Sequence, residues 1–353
     1  MSTQTETRAT TSGATAAEAT ESTDATEAPI TYREAIIAAL QDELAADPTV
    51  LLMGEDVGPS GGPFKTSEGL QAQFGHARVF DTPICENGFV NVALGMAVTG
   101  LRPVVEIMFA DFLPTAGDAI VNEISKFRFM SGGQCAVPMT IRTICGATGR
   151  FGTQHSATGE SWYLQMPGLH ICTASSPAAA YGLLRRSIRD NNPVLFFEHK
   201  GMYGRKGVVQ RGDSNLPELG RAEIVRTGRD VTIVATLLMV ERALKAAETL
   251  AAEGIEAEVV DLRWISPIDH ATIDASLART GRLVIAEEQY HVGGWGSAII
   301  SRLSRSGLAQ KALPRAVSLP EDQLIPFSPP LEDEMIPSAE AIAAAARASV
   351  ASR

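Results

Sequence analysis

The stretch Val50-Leu51-Leu52-Met53-Gly54-Glu55-Asp56 is an unbroken apolar run of strand length, followed by a glycine and two carboxylates. A strand without polar alternation has to be covered on both faces, as strands are in a parallel sheet between layers of helices. The residues before it supply the first of those helices. Thr31-Tyr32-Arg33-Glu34 has the spacing of a capping box, in which Thr31 accepts from free amides and Glu34 reaches back. Ala35, Ile36, Ala39, Leu40 and Leu44 then share one helical face, and Asp47-Pro48 ends the helix.

The same grammar recurs on both sides of that stretch. Residues 58–63 form a glycine-rich loop and 78–80 a brief strand; a small-residue helix follows over 87–99 and a strand over 103–107. A helix is predicted from about Leu113 to Phe129, then a turn at Ser131-Gly132-Gly133 and a strand over 139–144. Ser176-Pro177 is an N-cap with proline in the first helical position. Its helix runs to Asp190, and a strand over 194–197 closes the half. Residues 201–220 lack periodicity and read as a linker between a domain over 30–200 and a smaller one over 221–353. In the second half, strands over 230–236, 257–261 and 283–286 alternate with helices over 240–253, within 266–280 and over 296–303. The fold class is therefore α/β: two doubly wound domains, the first with a mainly parallel sheet.

Composition bounds the function. The 353 residues include 30 basic and 41 acidic ones, a formal charge of −11. That balance argues against nucleic acid or an anionic membrane as a bulk electrostatic partner. The four cysteines form no CxxC pair, so a reducing, cytoplasmic setting is expected. The most apolar segment, 88–109, is interrupted by Asn91, Arg102, Pro103 and Glu106, which a membrane span does not carry cheaply. Residues 1–29, rich in Thr, Ala, Ser and Glu, are expected to be a disordered tail.

Several motifs can be set aside. Neither Gly146-Ala147-Thr148-Gly149 nor Gly293-Gly294-Trp295-Gly296 makes the dinucleotide fingerprint, and the P-loop and nucleophile-elbow patterns are absent. The carboxylates carry more. Glu55 and Asp56 stand at the carboxyl end of a buried strand, where open α/β sheets bind ligands. Glu86 opens an apolar helix; as a plain helix-terminal acid it contributes about 0.3–1 kcal/mol, and as a functional group it is a proton holder. Phe109 and Phe112 flank Asp111, and His155 lies in a polar glycine-rich loop, where a histidine is more often functional than in a core.

Taken together, these blocks resemble the beta subunit of the thiamine-diphosphate-dependent, decarboxylating component of 2-oxo acid dehydrogenase complexes, a transketolase-like family. The resemblance runs over about residues 30–345. It is carried by Leu52-Met53-Gly54-Glu55-Asp56-Val57-Gly58, Asp81-Thr82-Pro83-Ile84-Cys85-Glu86 and Gly100-Leu101-Arg102-Pro103-Val104-Val105-Glu106. Phe129-Met130-Ser131-Gly132-Gly133-Gln134, Gln154-His155-Ser156, Ile188-Arg189-Asp190-Asn191-Asn192-Pro193 and Val260-Asp261-Leu262-Arg263 complete it. It implies a pyrimidine-binding first domain, and an α2β2 heterotetramer with each thiamine diphosphate between an alpha and a beta chain. The family's diphosphate motif is missing here, which leaves the diphosphate and Mg2+ to the alpha partner; a lipoyl-bearing transacylase core would take the acyl group.

By the same resemblance, Glu86 is the cofactor-activating glutamate, placed against a ring nitrogen of the aminopyrimidine. Phe112 is the aromatic on the pyrimidine, and His155 the histidine assisting transfer to lipoamide. Glu55 belongs to the cofactor site, and Ser187, Asp190 and Asn192 to a loop holding a structural monovalent cation, K+ by expectation; from their place at a strand end, Glu55 and Asp56 are further expected to join an acidic relay between active sites. Cys85 and Asn87 around Glu86, with Thr115 and Gly117, depart from the family pattern and leave the substrate open. Pyruvate is the first expectation and branched-chain 2-oxo acids the second, with acetoin a close rival. A noncatalytic assembly subunit, docking a basic domain through Leu331-Glu332-Asp333-Glu334, is the reading from another class. A self-sufficient transketolase-like enzyme is opposed by the absent diphosphate motif.

Overall fold

The computed structural model describes residues 28–214 and 216–352; the expected tail lies outside them, apart from residues 28 and 29. The decisive stretch is a strand, Val50–Gly54, buried throughout. It sits inside a seven-stranded sheet, between Val79–Asp81 and Arg102–Ile107 and parallel to both. The sheet continues through Thr140–Cys145, Val194–His199 and His170–Thr173, all in parallel register. Successive residues of these strands serve two cores. Val50, Leu52 and Val104 enter the core on one face, and Leu51, Met53 and Val105 the core on the other. Period-two alternation with both faces covered explains the absence of polar residues.

Two helices cover the first face, Tyr32–Ala46 and Pro177–Ile188. The first begins with the expected capping box: Glu34 N donates to Thr31 Oγ1 at 3.1 Å and Thr31 N to Glu34 Oε2 at 2.6 Å. The second is capped by Ser176, whose hydroxyl accepts from Ala179 N at 3.1 Å. Glu86–Val98 lies on the opposite face, through Phe89, Val90, Ala93, Leu94 and Ala97.

A second sheet has five strands in the order Arg315–Leu319, Leu283–Tyr290, Val231–Ala235, Ala257–Asp261 and Glu223–Arg226. Only the last pairs antiparallel. Both cores run on through this half: Ile233 and Val259 join the first, Val234 and Val260 the second. The halves are joined by hydrogen bonds as well, because Trp264–Ser266 pairs antiparallel with His170–Thr173 at the edge of the first sheet.

One expectation is corrected. The single helix predicted over 113–129 is a helical run that changes pitch: a 3-10 segment Ala110–Ala116, a π segment Ala119–Ile124 and an α segment Ser125–Met130. Pro114 lies inside the first segment and brings no N–H to an α ladder. The strands His170–Thr173, Trp264–Ser266 and Arg315–Leu319 and the helix Ala339–Ala351 have no counterpart in the sequence reading. Among the described residues, no helix is long and apolar enough to cross a membrane.

Candidate active site

The strands of the first sheet deliver their carboxyl ends to one edge, and the acidic part of the site sits there. Glu55 follows Val50–Gly54 directly, and Gly54 permits the close approach. A Cβ on Gly54 would lie 2.6 Å from the Glu106 carbonyl oxygen. Glu55 is only 8% exposed and its Oε1 has no hydrogen-bond partner among the described residues. Burial above all, then the charges of Glu86 and Asp56, pushes its pKa up. Glu86, half-buried, is the first residue of its helix. Cys85, the N-cap, makes no side-chain capping bond. The Glu86 carboxylate accepts no hydrogen bond from the other described residues. Two residues before it Ile84 is 84% exposed, an apolar side chain at the open rim of the site.

The aromatic part is built on the turn after Arg102–Ile107. Phe112 belongs to the 3-10 segment that packs on the helix of Glu86. His155 ends the short turn Thr153–His155. Its ring stands edge-on to Phe109, centroids 4.7 Å apart, and to Phe112 at 5.3 Å. Asp111, between the two phenylalanines, accepts from Ala157 N at 3.2 Å, and burial, chiefly, pushes its pKa up. Thus Phe112 and His155 meet in one cluster, and Glu86 lies near enough to Glu55 for its charge to raise the Glu55 pKa.

Lys200 is a site residue the sequence reading missed. It is 8% exposed, its ammonium donates to the His155 carbonyl oxygen, and it lies 5.5 Å from the Phe109 ring centroid and 5.2 Å from that of Phe151. Burial pushes its pKa down. The available signal was Glu198-His199-Lys200, three polar residues ending an apolar strand.

Ser187, in the last turn of Pro177–Ile188, and Asp190 and Asn192, between that helix and Val194–His199, lie at the other edge. The structure does bring them into one turn. Asp190 Oδ1 accepts from Asn192 N at 2.8 Å and from Asn192 Nδ2 at 3.0 Å, and the Ser187 carbonyl accepts from Asp190 N at 3.2 Å. Arg102 donates to the carbonyls of Ile188 and Asp190 at 3.2 and 3.0 Å, and Arg128 to Asn192 Oδ1 at 2.6 Å.

The second half reaches the site loops through Glu288. Its Oε1 accepts from Ala147 N at 2.7 Å and its Oε2 lies 2.9 Å from His199 Nε2. Gly201 N donates to His199 Nδ1 at 3.1 Å, so Nε2 carries the hydrogen given to Glu288. Gly146, at φ +84°, is pressed so close that a Cβ would lie 2.0 Å from His199 Nε2. A cavity of about 270 Å³ separates the halves, bounded by Asp111, Thr158, Trp162, Gln289 and Tyr290 among others. The acidic stretch expected to face a docking partner is partly internal. Glu332 is fully buried and salt-bridged to Arg150, and Asp333 pairs with the same guanidinium.

Comparison with known proteins agrees with this architecture. The family model described as "Transketolase, pyrimidine binding domain" matches residues 28–206, and "Transketolase, C-terminal domain" matches 220–342. The beta subunit of acetoin:2,6-dichlorophenolindophenol oxidoreductase from Cupriavidus necator is 42% identical, over 90% of this chain and 96% of that protein. The mitochondrial pyruvate dehydrogenase E1 component subunit beta-1 of Oryza sativa subsp. japonica is 43% identical, over 90% of this chain and 86% of its own length. Among solved structures, a split-gene transketolase described as an inactive beta4 tetramer superposes with a TM-score of 0.74 at 27% identity, over 92% of this chain and 99% of that one.

Proposed function

This chain belongs to the transketolase-like beta subunits of thiamine-diphosphate-dependent dehydrogenase components, and on that premise we propose that it activates the cofactor at a site shared with an alpha chain, for oxidative decarboxylation of pyruvate. The observation that carries this reading is the acidic pair at the sheet edge. Among the described residues, Glu55 holds a buried carboxylate oxygen without a partner, and Glu86 offers a carboxyl that accepts no hydrogen bond, near the exposed apolar side chain of Ile84. Such a donor set fits an aminopyrimidine, which needs one carboxyl at a ring nitrogen and apolar walls for its faces.

When bound, thiamine diphosphate supplies an electron sink for the bond broken in decarboxylation. Glu86 would hold the pyrimidine ring nitrogen through its carboxyl, with Glu55 as its buried neighbour, whose own pKa burial pushes up. Phe112 packs on the pyrimidine. His155, held edge-on between two phenylalanines, presents its ring to the acyl acceptor and stabilises charge that develops there. Mg2+ and the diphosphate fall to the alpha chain, since the diphosphate motif is absent from this sequence. The assembly we infer is an α2β2 heterotetramer in the cytoplasm, passing acyl groups to a lipoyl-bearing transacylase core. Ser187, Asp190 and Asn192 form its structural monovalent-cation loop.

Acetoin is the second reading, favoured by the 42% identity to the Cupriavidus necator subunit. The deciding experiment is co-expression with the alpha chain and assay on pyruvate, branched-chain 2-oxo acids and acetoin. Turnover of pyruvate only in the presence of alpha supports the proposal; preference for acetoin moves the chain to the second reading. Full activity of this chain alone overturns the shared site.

A further inference from the structure

The loop carrying His155 is gripped from the far half of the molecule. Arg150, at φ +60°, holds a left-handed backbone that a non-glycine residue adopts only where its surroundings fix it. Those surroundings come from the segment around Pro329–Met335. Arg150 N donates to Glu332 Oε1 at 3.3 Å, and its Nη1 to Glu332 Oε2 at 2.5 Å and to the Pro329 carbonyl at 2.9 Å. Its Nη2 donates to both carboxylate oxygens of Asp333, at 2.9 and 3.1 Å. Glu332 is fully buried, and Arg150 is its only salt-bridge partner among the described residues. Two residues further on, Gly152 lies flat against Phe327, where a Cβ would come within 2.5 Å of the ring. Thr153 Oγ1 donates to the Ile325 carbonyl at 3.0 Å. His155 follows, with Lys200 on its carbonyl from the opposite side.

We propose that the Arg150–Glu332 pair is a clasp through which the C-terminal half sets the position of His155. The inference rests on the reading of His155 as a group at the reacting centre. Arg150 itself is a positioning residue, five positions from that ring. A buried carboxylate that loses its guanidinium must take up a proton or draw in water. Either result releases the left-handed turn at Arg150 and the segment above it, and a small displacement of a reacting group is costly.

The test uses the full chain, alone and with its alpha partner, as Arg150→Met, Arg150→Lys, Glu332→Gln and His155→Ala. In Arg150→Met, amide hydrogen exchange over 150–156 should rise about tenfold while the sheet amides stay protected, and Arg150→Lys should restore part of the protection. In the assembled enzyme, acyl transfer to a lipoyl domain should fall about ten- to hundredfold, with KM for the 2-oxo acid unchanged. Adding His155→Ala to Arg150→Met should cost little more than either change alone. Glu332→Gln carries the same expectation and keeps the test open should Arg150→Met fail to fold. Unchanged exchange and transfer, or exchange raised across the whole chain, overturns the clasp. If His155→Ala alone leaves transfer intact, the reading of His155 fails, and the exchange data still judge the clasp.

Discussion

At the residue scale, Glu86 and Glu55 are two carboxyls in contrasting settings, one half-buried at a helix start and one buried at a strand end. If Glu86 manages a proton on the cofactor, Glu86→Gln in the assembled enzyme should lower decarboxylation about 10²- to 10⁴-fold. Assembly with alpha should be retained, read by size-exclusion chromatography; a variant that turns over normally identifies the chain as a scaffold. A third carboxyl, Glu160, is 1% exposed, with Oε2 lacking a hydrogen-bond partner among the described residues, and burial raises its pKa to about 7. The folded chain thus keeps a proton that the unfolded chain gives up near its ordinary carboxylate pKa. The stability this contributes is complete below about pH 4.5 and is lost as pH rises through about 7. Glu160→Gln should remove that slope, gaining at pH 8 at most about 3 kcal/mol over the parent, as measured by urea denaturation at pH 5 and pH 8. An equal slope in both proteins would show that Glu160 does not titrate across folding.

At the element scale, the strands under the site are tied by a charge network. Arg142 lies between Glu106 and Glu198, at 2.8 and 2.7 Å, and all three side chains are at most 1% exposed. Thr66 adds a hydroxyl to Glu106 at 3.3 Å and Tyr203 one to Glu198 at 3.0 Å, so the segment just after the glycine-rich loop and the last strand of the half share one anchor. Arg142→Met would strand two buried carboxylates and should destabilise by about 3–5 kcal/mol. Adding Glu106→Gln and Glu198→Gln should recover most of the loss, both read by urea denaturation. These strands are also where the sequence was most legible, since apolar runs such as 50–53 and 194–197 admit few other structures. It was least legible where the pattern is weak. His170–Thr173 is a four-residue strand with a histidine at its start. Arg315–Leu319 lies at a sheet edge with two exposed residues, and Ala339–Ala351 is so rich in alanine that its faces barely differ. The pitch changes over 110–130 follow from tertiary packing around Pro114, which periodicity does not encode. In the candidate site, Glu86, Phe112 and His155 were reached through motifs, whereas Lys200, Arg150 and Glu332 act across 45 to 182 residues of chain, and no local pattern announces them.

At the scale of the whole molecule, the edge that carries Glu86 is unfinished as a binding site. Its described residues bring the Glu55 and Glu86 carboxyls and the exposed Ile84 side chain, and the chain is strongly acidic, at −11. Two anionic groups brought together without a cation repel, and on the proposed reading Mg2+ and groups of the alpha chain meet the cofactor's diphosphate. Ile84, two residues from Glu86 and 84% exposed, is the apolar residue best placed to be covered by that chain. The chain purified alone should therefore show no saturable binding of thiamine diphosphate with Mg2+ by calorimetry, and the co-expressed complex should bind it. Ile84→Asp should leave the fold unchanged by circular dichroism and weaken assembly with alpha about ten- to hundredfold, as for a central interface residue. Tight cofactor binding by the lone chain would place the diphosphate site within this subunit, and assembly indifferent to Ile84→Asp would put its partner surface elsewhere.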